Sequence, residues 1–422
     1  MSDPVRAQYE EFPYPARDPA DERRRLIVGS PSHILEINHY LFAGRRDFDL
    51  PFRALFAGAG TGDGAIMLAQ QLSDLRAPAE IVHLEPSRAA RNIAEARARI
   101  RNLGNIRFEA GTIEELEGSG LGSFDYVDCC GVLHHLEDPA AGLAMLRRAL
   151  AQGGGIGMMV YGALGRIGVY HAQTILRALT NEGEPQRTRL DRARRLLRQL
   201  PRTNWLLRNP FVGDHLKGGD AGLYDLLLHE RDRSYTVPEL AQLVASAGFD
   251  VVSLIEPARY QPESYLTDPA LLERLRPLDP IQRAAVAELV AGDLKVHIAY
   301  LVPAGDARRS KAQIASDLIP ILREGDGGAL ARGLKPGQPL KVGFGATSLS
   351  FPLPRRAVPI LAQIDGRRTI GDLRRAVSEA GLSLSEGEFE RDFAALYAVL
   401  NAINHLFLAD RPLTLARQSA SS

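Results

Sequence analysis

The 422-residue chain reads as an α/β protein built on an open sheet, with a helical insertion and a smaller α+β unit behind it. Three stretches carry that reading. Arg53–Leu72 runs strand, glycine turn, helix: Leu55 and Phe56 end an apolar run, Gly58, Gly60 and Gly62 alternate, and Ile66 to Leu72 continue at helical period. Ile81-Val82-His83-Leu84-Glu85 is a second strand that ends in an acid, roughly 20 residues after the glycines, where α/β nucleotide folds place the carboxylate for a ribose. Phe124–Cys130 and then Ile156–Val160, after Gly153-Gly154-Gly155, continue the alternation of strand and helix.

Taken in order, residues 1–50 precede the first core strand. Gln8-Tyr9-Glu10-Glu11-Phe12-Pro13-Tyr14-Pro15 mixes aromatics with prolines and is expected to be an extended docking segment, not a helix. Ser30 is expected to cap a helix running from Pro31 to Leu41. The glycine turn that follows β-like residues 53–57 leaves bare N–H groups at a helix N-terminus, with no Cβ to keep a nucleotide-like ligand off the main chain. A dinucleotide fingerprint would need glycine at position 63, where the chain has Asp63. Ile106–Ala110 is a third strand with its loop at Thr112 and Ile113. Val132-Leu133-His134-His135-Leu136 follows the fourth strand, and Asp138 with Pro139 starts a helix.

The G-x-G-x-G of residues 58–62 resembles motif I of class I S-adenosylmethionine-dependent methyltransferases, and V-L-H-H-L-x-D-P at 132–139 resembles their motif IV. The resemblance covers most of residues 51–162 and resumes near 235–304. It implies a Rossmann-like seven-stranded sheet and S-adenosyl-L-methionine as cofactor. The implied cofactor site comprises Gly58, Ala59, Gly60, Thr61 and Gly62, then Glu85 and Pro86, Thr112 and Ile113, and Cys130, Gly131 and Val132. Thr112 stands where the family usually carries an Asp that holds the adenine amino group; Ile113 would cover the adenine face. Tyr9 and Tyr14 either close over the cofactor or simply staple the N-terminus to the core.

Residues 163–234 interrupt the alternation. An apolar helix at Val169–Leu179 and an arginine-rich one at Arg187–Leu200, with a stripe of Leu190, Ala193, Leu196, Leu197 and Leu200, read as a lid above the strand ends. A solvated arginine face is the commoner explanation of that second helix, ahead of an acidic or RNA partner. Near the lid's end Tyr224 and Leu228 share one helical face, while Asp225 and His229 share another at i, i+4, a spacing that suits a proton relay. Asp214, His215, Asp225 and His229 match no standard ligand spacing, so no metal is expected. Thr236 and Glu239 form a capping box, Phe249–Ile255 a sixth strand, and Lys295–Val302 the last; the catalytic domain should close near residue 304.

Residues 305–334 read as a linker with a helix from Ala312 to Leu322. A unit from about 335 to 410 follows: strands at Leu340–Phe344 and Ser348–Pro352, then helices starting at Thr369 and at Ser385 with Glu388. Its I-D-G-R-R-T-I-G-D-L run resembles PqqD-type winged-helix domains, which hold leader peptides, and the terminal winged helix of bacterial protein-lysine methyltransferases. The same unit would otherwise be scaffold or a homodimer contact. Residues 411–422 are expected to be a disordered tail.

Lys+Arg and Asp+Glu are each 51, so no net field draws nucleic acid or a membrane, and no N-P-P-Y-like motif argues for base methylation. Cys129 and Cys130 are neighbours on one strand and cannot face each other. With no export signal and no apolar run of spanning length, a cytoplasmic protein is expected. The catalytic candidates are His135, His229, Asp225 and Tyr224. The expected reaction is methyl transfer to N or O of a peptide or protein; a small-molecule acceptor, or cofactor binding without turnover to recruit a partner, are the alternatives.

Overall fold

The computed structural model describes residues 3–181, 183–335 and 337–415. The chain opens with α1 (Asp3–Glu11) and α2 (Ile34–Leu41). The sheet layer then alternates through β1 (Phe52–Ala57), α3 (Asp63–Asp74), β2 (Ala79–Leu84), α4 (Arg88–Ile100), β3 (Ile106–Glu109), β4 (Phe124–Cys130), α5 (Pro139–Arg148) and β5 (Leu150–Gly162). The insertion holds α6 (Val169–Leu179), α7 (Gln186–Gln199), α8 (Trp205–Arg208), α9 (Asp214–Lys217) and α10 (Gly219–Leu228). Then come β6 (Ser234–Tyr235), α11 (Val237–Ser246), β7 (Phe249–Ile255), α12 (Pro269–Leu275), α13 (Pro280–Ala291) and β8 (Val296–Pro303). The C-terminal part adds α14 (Ala307–Ser310), β9 (Ile319–Leu322), α15 (Gly327–Gly333), β10 (Leu340–Phe344), β11 (Thr347–Phe351), α16 (Ala357–Leu361), α17 (Ile370–Glu379), α18 (Glu386–Ala402) and β12 (Leu406–Ala409).

The central sheet has the order β3-β2-β1-β4-β5-β8-β7, with the two-residue β6 beside β5. β1 to β5 run parallel, and β8 is antiparallel to both β5 and β7. This is the mostly parallel, Rossmann-like architecture expected. Its strands read as near-continuous apolar runs because helices cover both faces. One face packs Leu55, Val82, Val127 and Ile156 under α5 and α11; the other packs Phe52, Phe56, Ile81 and Tyr126 under α2 and α3. The strand order reverses between β1 and β4, and an open sheet leaves its ligand crevice at the carboxyl ends there.

Four expectations fail. Residues 8–11 are the last turn of α1, because Pro4 falls in the helix's first turn, where proline is tolerated, the next proline is Pro13, beyond the helix end, and Val5 and Gln8 turn inward to be buried. α2 starts at Ile34 with His33 as its N-cap, not at Pro31, because Ser32 takes a left-handed φ of 85° and turns the chain. Residues 319–322 form strand β9 instead of a helix: Pro320 has no N–H for a helical bond, while the segment pairs antiparallel with β12. Residues 411–415 are not a loose tail, since Leu413 is buried and Arg411 bonds Asp47 and Asp49; 416–422 lie outside the described residues. Among the described residues no helix is long and apolar enough to cross a membrane.

Candidate active site

A cavity of about 450 Å³ opens at the carboxyl ends of β1, β2, β4 and β5. Its floor is the turn after β1. Gly58 sits at φ +70°, and a Cβ there would stand 2.6 Å from Val132 Cγ2, so only glycine lets the turn after β1 meet the turn after β4. Gly62, at φ +95°, caps α3, and a Cβ would meet the Ala94 side chain at 3.0 Å. Glu85, just past β2, is buried. Its Oε2 accepts from Gly60 N at 2.9 Å and its Oε1 from Ser87 N at 2.8 Å. Burial pushes its carboxyl above the usual range, against those two N–H groups. Each oxygen keeps acceptor capacity for a further donor.

Beside the turn, Asp63 accepts from Arg17 Nε at 2.9 Å and from Arg97 Nη1 at 2.7 Å, and Arg97 is also paired with buried Glu22. Burial raises the Asp63 carboxyl, yet the two guanidiniums hold it below its ordinary value. This network fastens the segment after α1 across the start of α3. Thr61 stands beneath the turn and donates to Pro15 O at 2.8 Å.

Of the expected cofactor residues, Tyr9, Tyr14, Gly58, Ala59, Gly60, Glu85, Cys130, Gly131 and Val132 line the cavity. Thr61, Gly62, Pro86, Thr112 and Ile113 do not. Ile113 is buried in the core with Leu84, Thr112 N donates to Glu115 in a tight turn, and Glu114 is what this loop brings to the lining. Cys129 and Cys130 are free thiols, the first in the core and the second on the cavity.

The far end of the cavity is made of side chains. α10 and α1 meet there: Tyr9 Oη donates to Asp225 Oδ1 at 3.1 Å, and Tyr161, from the end of β5, donates to Oδ2 at 3.2 Å. Asp225 therefore does not bond His229 directly; Tyr9 stands between them, 3.2 Å from His229 Nε2. The ring protons follow from one residue. Arg231 N–H donates to His229 Nδ1 at 3.1 Å, which puts the neutral ring's proton on Nε2, facing Tyr9. The Arg231 carbonyl accepts from His135 Nδ1 at 2.7 Å, which leaves Nε2 of His135 as the lone-pair nitrogen. The two imidazoles stack at 3.6 Å and 14°.

Burial holds His135 neutral, with its pKa lowered to about 4, and burial, with His135 adding to it, holds His229 well below its ordinary value. Burial, and then Asp232, push Asp225 up to about 7. The phenol of Tyr9 is raised by burial and by Asp225. The ligand atoms of His135, Asp225 and His229 lie within 4.8 Å of one another. A donor proton on His229 Nε2 and two parallel rings do not converge lone pairs on one ion, so the trio reads as a hydrogen-bonded cluster. Asp214 is elsewhere, accepting from Tyr14 at 3.4 Å.

Tyr224 is not at the site. One position before Asp225, it is turned about 100° away around α10 and stacks on Phe12 at 5.1 Å within the lid's own core. The arginines of α7 are largely spoken for: Arg187 bonds Glu11, Arg189 Glu230, Arg192 Glu184 and Arg194 Asp220. Sequence reasoning missed Arg17, Asp128, Met159, Tyr161 and Arg231 on the lining. Tyr161 and Asp128 had a signal, as they sit on the two strands whose ends frame the crevice.

Residues 55–156 match the family model described as a methyltransferase domain. A protein of Synechococcus sp., syc1184_c, is 29% identical over 242 residues, or 56% of this chain; the chain spans 57% of that relative's length. The structure of PKMT2 from Rickettsia typhi in complex with AdoHcy superposes with a TM-score of 0.58 at 13% identity, covering 94% of this chain and 76% of that one. At that identity the likeness is one of fold, and it extends through the C-terminal part. The cofactor of such a domain, S-adenosylmethionine, fits the groups present: a turn with no room for a Cβ, a buried carboxylate with spare acceptor capacity, and a cavity large enough for a nucleoside. Residues 55–156 thus form a methyltransferase domain, seated in a class I, Rossmann-like sheet.

Proposed function

We propose that the protein is an S-adenosylmethionine-dependent methyltransferase acting on N or O of a peptide or protein. The observation that carries this reading is the continuity of one cavity, from Glu85 and the glycine turn at one end to His135 at the other. Bound S-adenosylmethionine supplies an electrophilic methyl on a sulfonium. The Glu85 oxygens would accept the ribose hydroxyls, and the Gly58–Gly60 turn, bare of side chains at both glycines, would let the amino-acid part lie against the main chain. Tyr9, Tyr161 and Asp225 orient the acceptor, where positioning alone is worth several kcal/mol. His135 Nε2, already free of a proton, takes the one that the acceptor gives up.

A macromolecular acceptor is supported by the C-terminal helices with their β10–β11 hairpin, a winged-helix-like unit, and by the fold shared with PKMT2. A small-molecule acceptor is the second reading, favoured by the burial of His135 against Asp225 and His229 of the lid. Calorimetry with S-adenosylhomocysteine, followed by incubation of lysate with methyl-labelled cofactor, tests both. Binding together with labelled protein is the expected result. Label confined to small solutes would favour the second reading, and no binding would overturn both.

A further inference from the structure

Among the described residues the C-terminal part shares no strand with the central sheet, yet it grips the segment that walls the cofactor cavity. Gly29, Ser30 and Pro31 line that cavity. Ser30 Oγ donates at 2.6 Å to Oε1 of Glu36, a carboxylate of α2 with no exposed surface. The same oxygen takes Arg323 Nη1 at 2.5 Å and Asn404 Nδ2 at 3.0 Å, and both of these side chains also reach Ser30 Oγ. Arg323 follows β9 and Asn404 precedes β12, so the antiparallel pairing of those strands is what brings them together.

From Glu36 the bonding continues into the pocket. Its Oε2 accepts from Tyr300 Oη at 3.0 Å, and Ser32 N donates to that same Tyr300 oxygen at 3.2 Å. Ser32 Oγ then donates to Asp128 Oδ2 at 2.5 Å, and Asp128 lines the cavity. These bonds hold Ser32 at its φ of 85°, a conformation that disfavours a side chain unless its surroundings fix it. A buried carboxylate such as Glu36 needs its donors; remove one and the groups around it rearrange or admit water.

We propose that the C-terminal part is a strut of the cofactor pocket, with Arg323 and Asn404 as positioning residues that fix Ser30, Glu36 and, through them, the Gly29–Pro31 wall. The inference rests on the cofactor reading above, and it assigns the C-terminal part a role that does not depend on which acceptor is used.

The full-length wild type is compared with Arg323→Met, Arg323→Lys, Asn404→Ser and Arg356→Met. Arg356 pairs with Glu388 and Asp392 at the surface of the same unit, away from α2. S-adenosylhomocysteine affinity is read by calorimetry, and KM for S-adenosylmethionine is read separately from kcat. Arg323→Met should weaken binding about tenfold or more and raise KM with kcat within about twofold, as loss of a charged hydrogen bond at the wall predicts. Arg323→Lys should recover most of the affinity, and Arg356→Met should leave it within about twofold. A folded Arg323→Met that binds like wild type overturns the strut. If that variant does not fold, Asn404→Ser replaces it: a partial loss of affinity supports the strut, and wild-type affinity overturns it. Wild-type protein that binds no S-adenosylhomocysteine overturns the cofactor reading first, so the two failures are distinct.

Discussion

The two ends of the cavity are built in different ways. The end proposed for the cofactor is mostly main chain: the turn around Gly60, the Glu85 carboxylate anchored on the amides of Gly60 and Ser87, and φ values at Gly58, Gly60 and Gly62 that exclude side chains. The end proposed for the acceptor is side chain throughout, with Tyr9 from α1, Tyr161 from β5, His135 after β4 and Asp225 from α10. Backbone geometry is fixed locally by a few adjacent residues, so the first end is set once the strand–turn–helix unit folds. The second exists only when four distant segments dock. Substitutions at the two ends should therefore fail differently, one in cofactor affinity and the other in turnover or fold.

The largest effect is expected at His135. Replacing it with Asn removes the lone-pair nitrogen and should lower kcat by roughly 10²–10⁴, the usual range for a positioned base. S-adenosylhomocysteine affinity should stay within about twofold. If both fall together, the two ends are not separable in this way. Arg166→Met tests the docking of the lid. Arg166 is buried against Asp232 at 3.0 Å and lies 3.6 Å over the Tyr161 ring, and Asp232 has no exposed side-chain surface. Leaving that carboxylate uncompensated should cost about 3–5 kcal/mol in urea unfolding. A loss under about 1 kcal/mol would mean that the lid does not need the pair.

The same division explains how much could be read from sequence. Gly58, Gly60 and Glu85 announce themselves by spacing because the backbone they serve is contiguous. The Asp225–His229 spacing was legible, but Tyr9, some 216 positions from Asp225, stands between them, and no helical periodicity could reveal that. Tyr224 was a candidate although it lies on a different helical face from Asp225, and that face turns to the lid core, because one residue along a helix is a turn of about 100°. Likewise, Leu318 to Leu322 carry an apolar run that suits a helix or a strand. Pro320 weighs against the helix, and the presence of 406–409 as a partner makes the segment a strand.

A smaller effect, confined to the main-chain end, is expected from Gly58→Ala. The added Cβ meets Val132 Cγ2 at 2.6 Å in a left-handed backbone, so the turn must shift by several tenths of an ångström. We expect a loss of about 1–2 kcal/mol in stability and about tenfold in S-adenosylhomocysteine affinity, with kcat at saturation little changed. Reduced kcat at unchanged affinity would contradict a purely backbone role for this end.

The smallest and most specific effect is in the pH dependence of stability. Asp225 titrates near 7 when folded, against about 3.9 unfolded. Between those values the native state keeps a proton that the unfolded chain has released. Stability from this group is therefore full below about pH 4 and falls as pH rises toward 7, by at most about 1.4 kcal/mol per unit. His135 has the opposite sign: lowered to about 4 from about 6.5, its contribution is present above 6.5 and lost as pH falls toward 4. The two slopes oppose each other between about pH 4 and 6.5, so the wild-type curve alone is uninformative. Subtracting urea stabilities of Asp225→Asn from wild type at pH 5, 6, 7 and 8 isolates the first. The difference should fall from pH 5 to 7 and level off by 8. Parallel curves would place Asp225 in contact with water and remove it from the enclosed acceptor end.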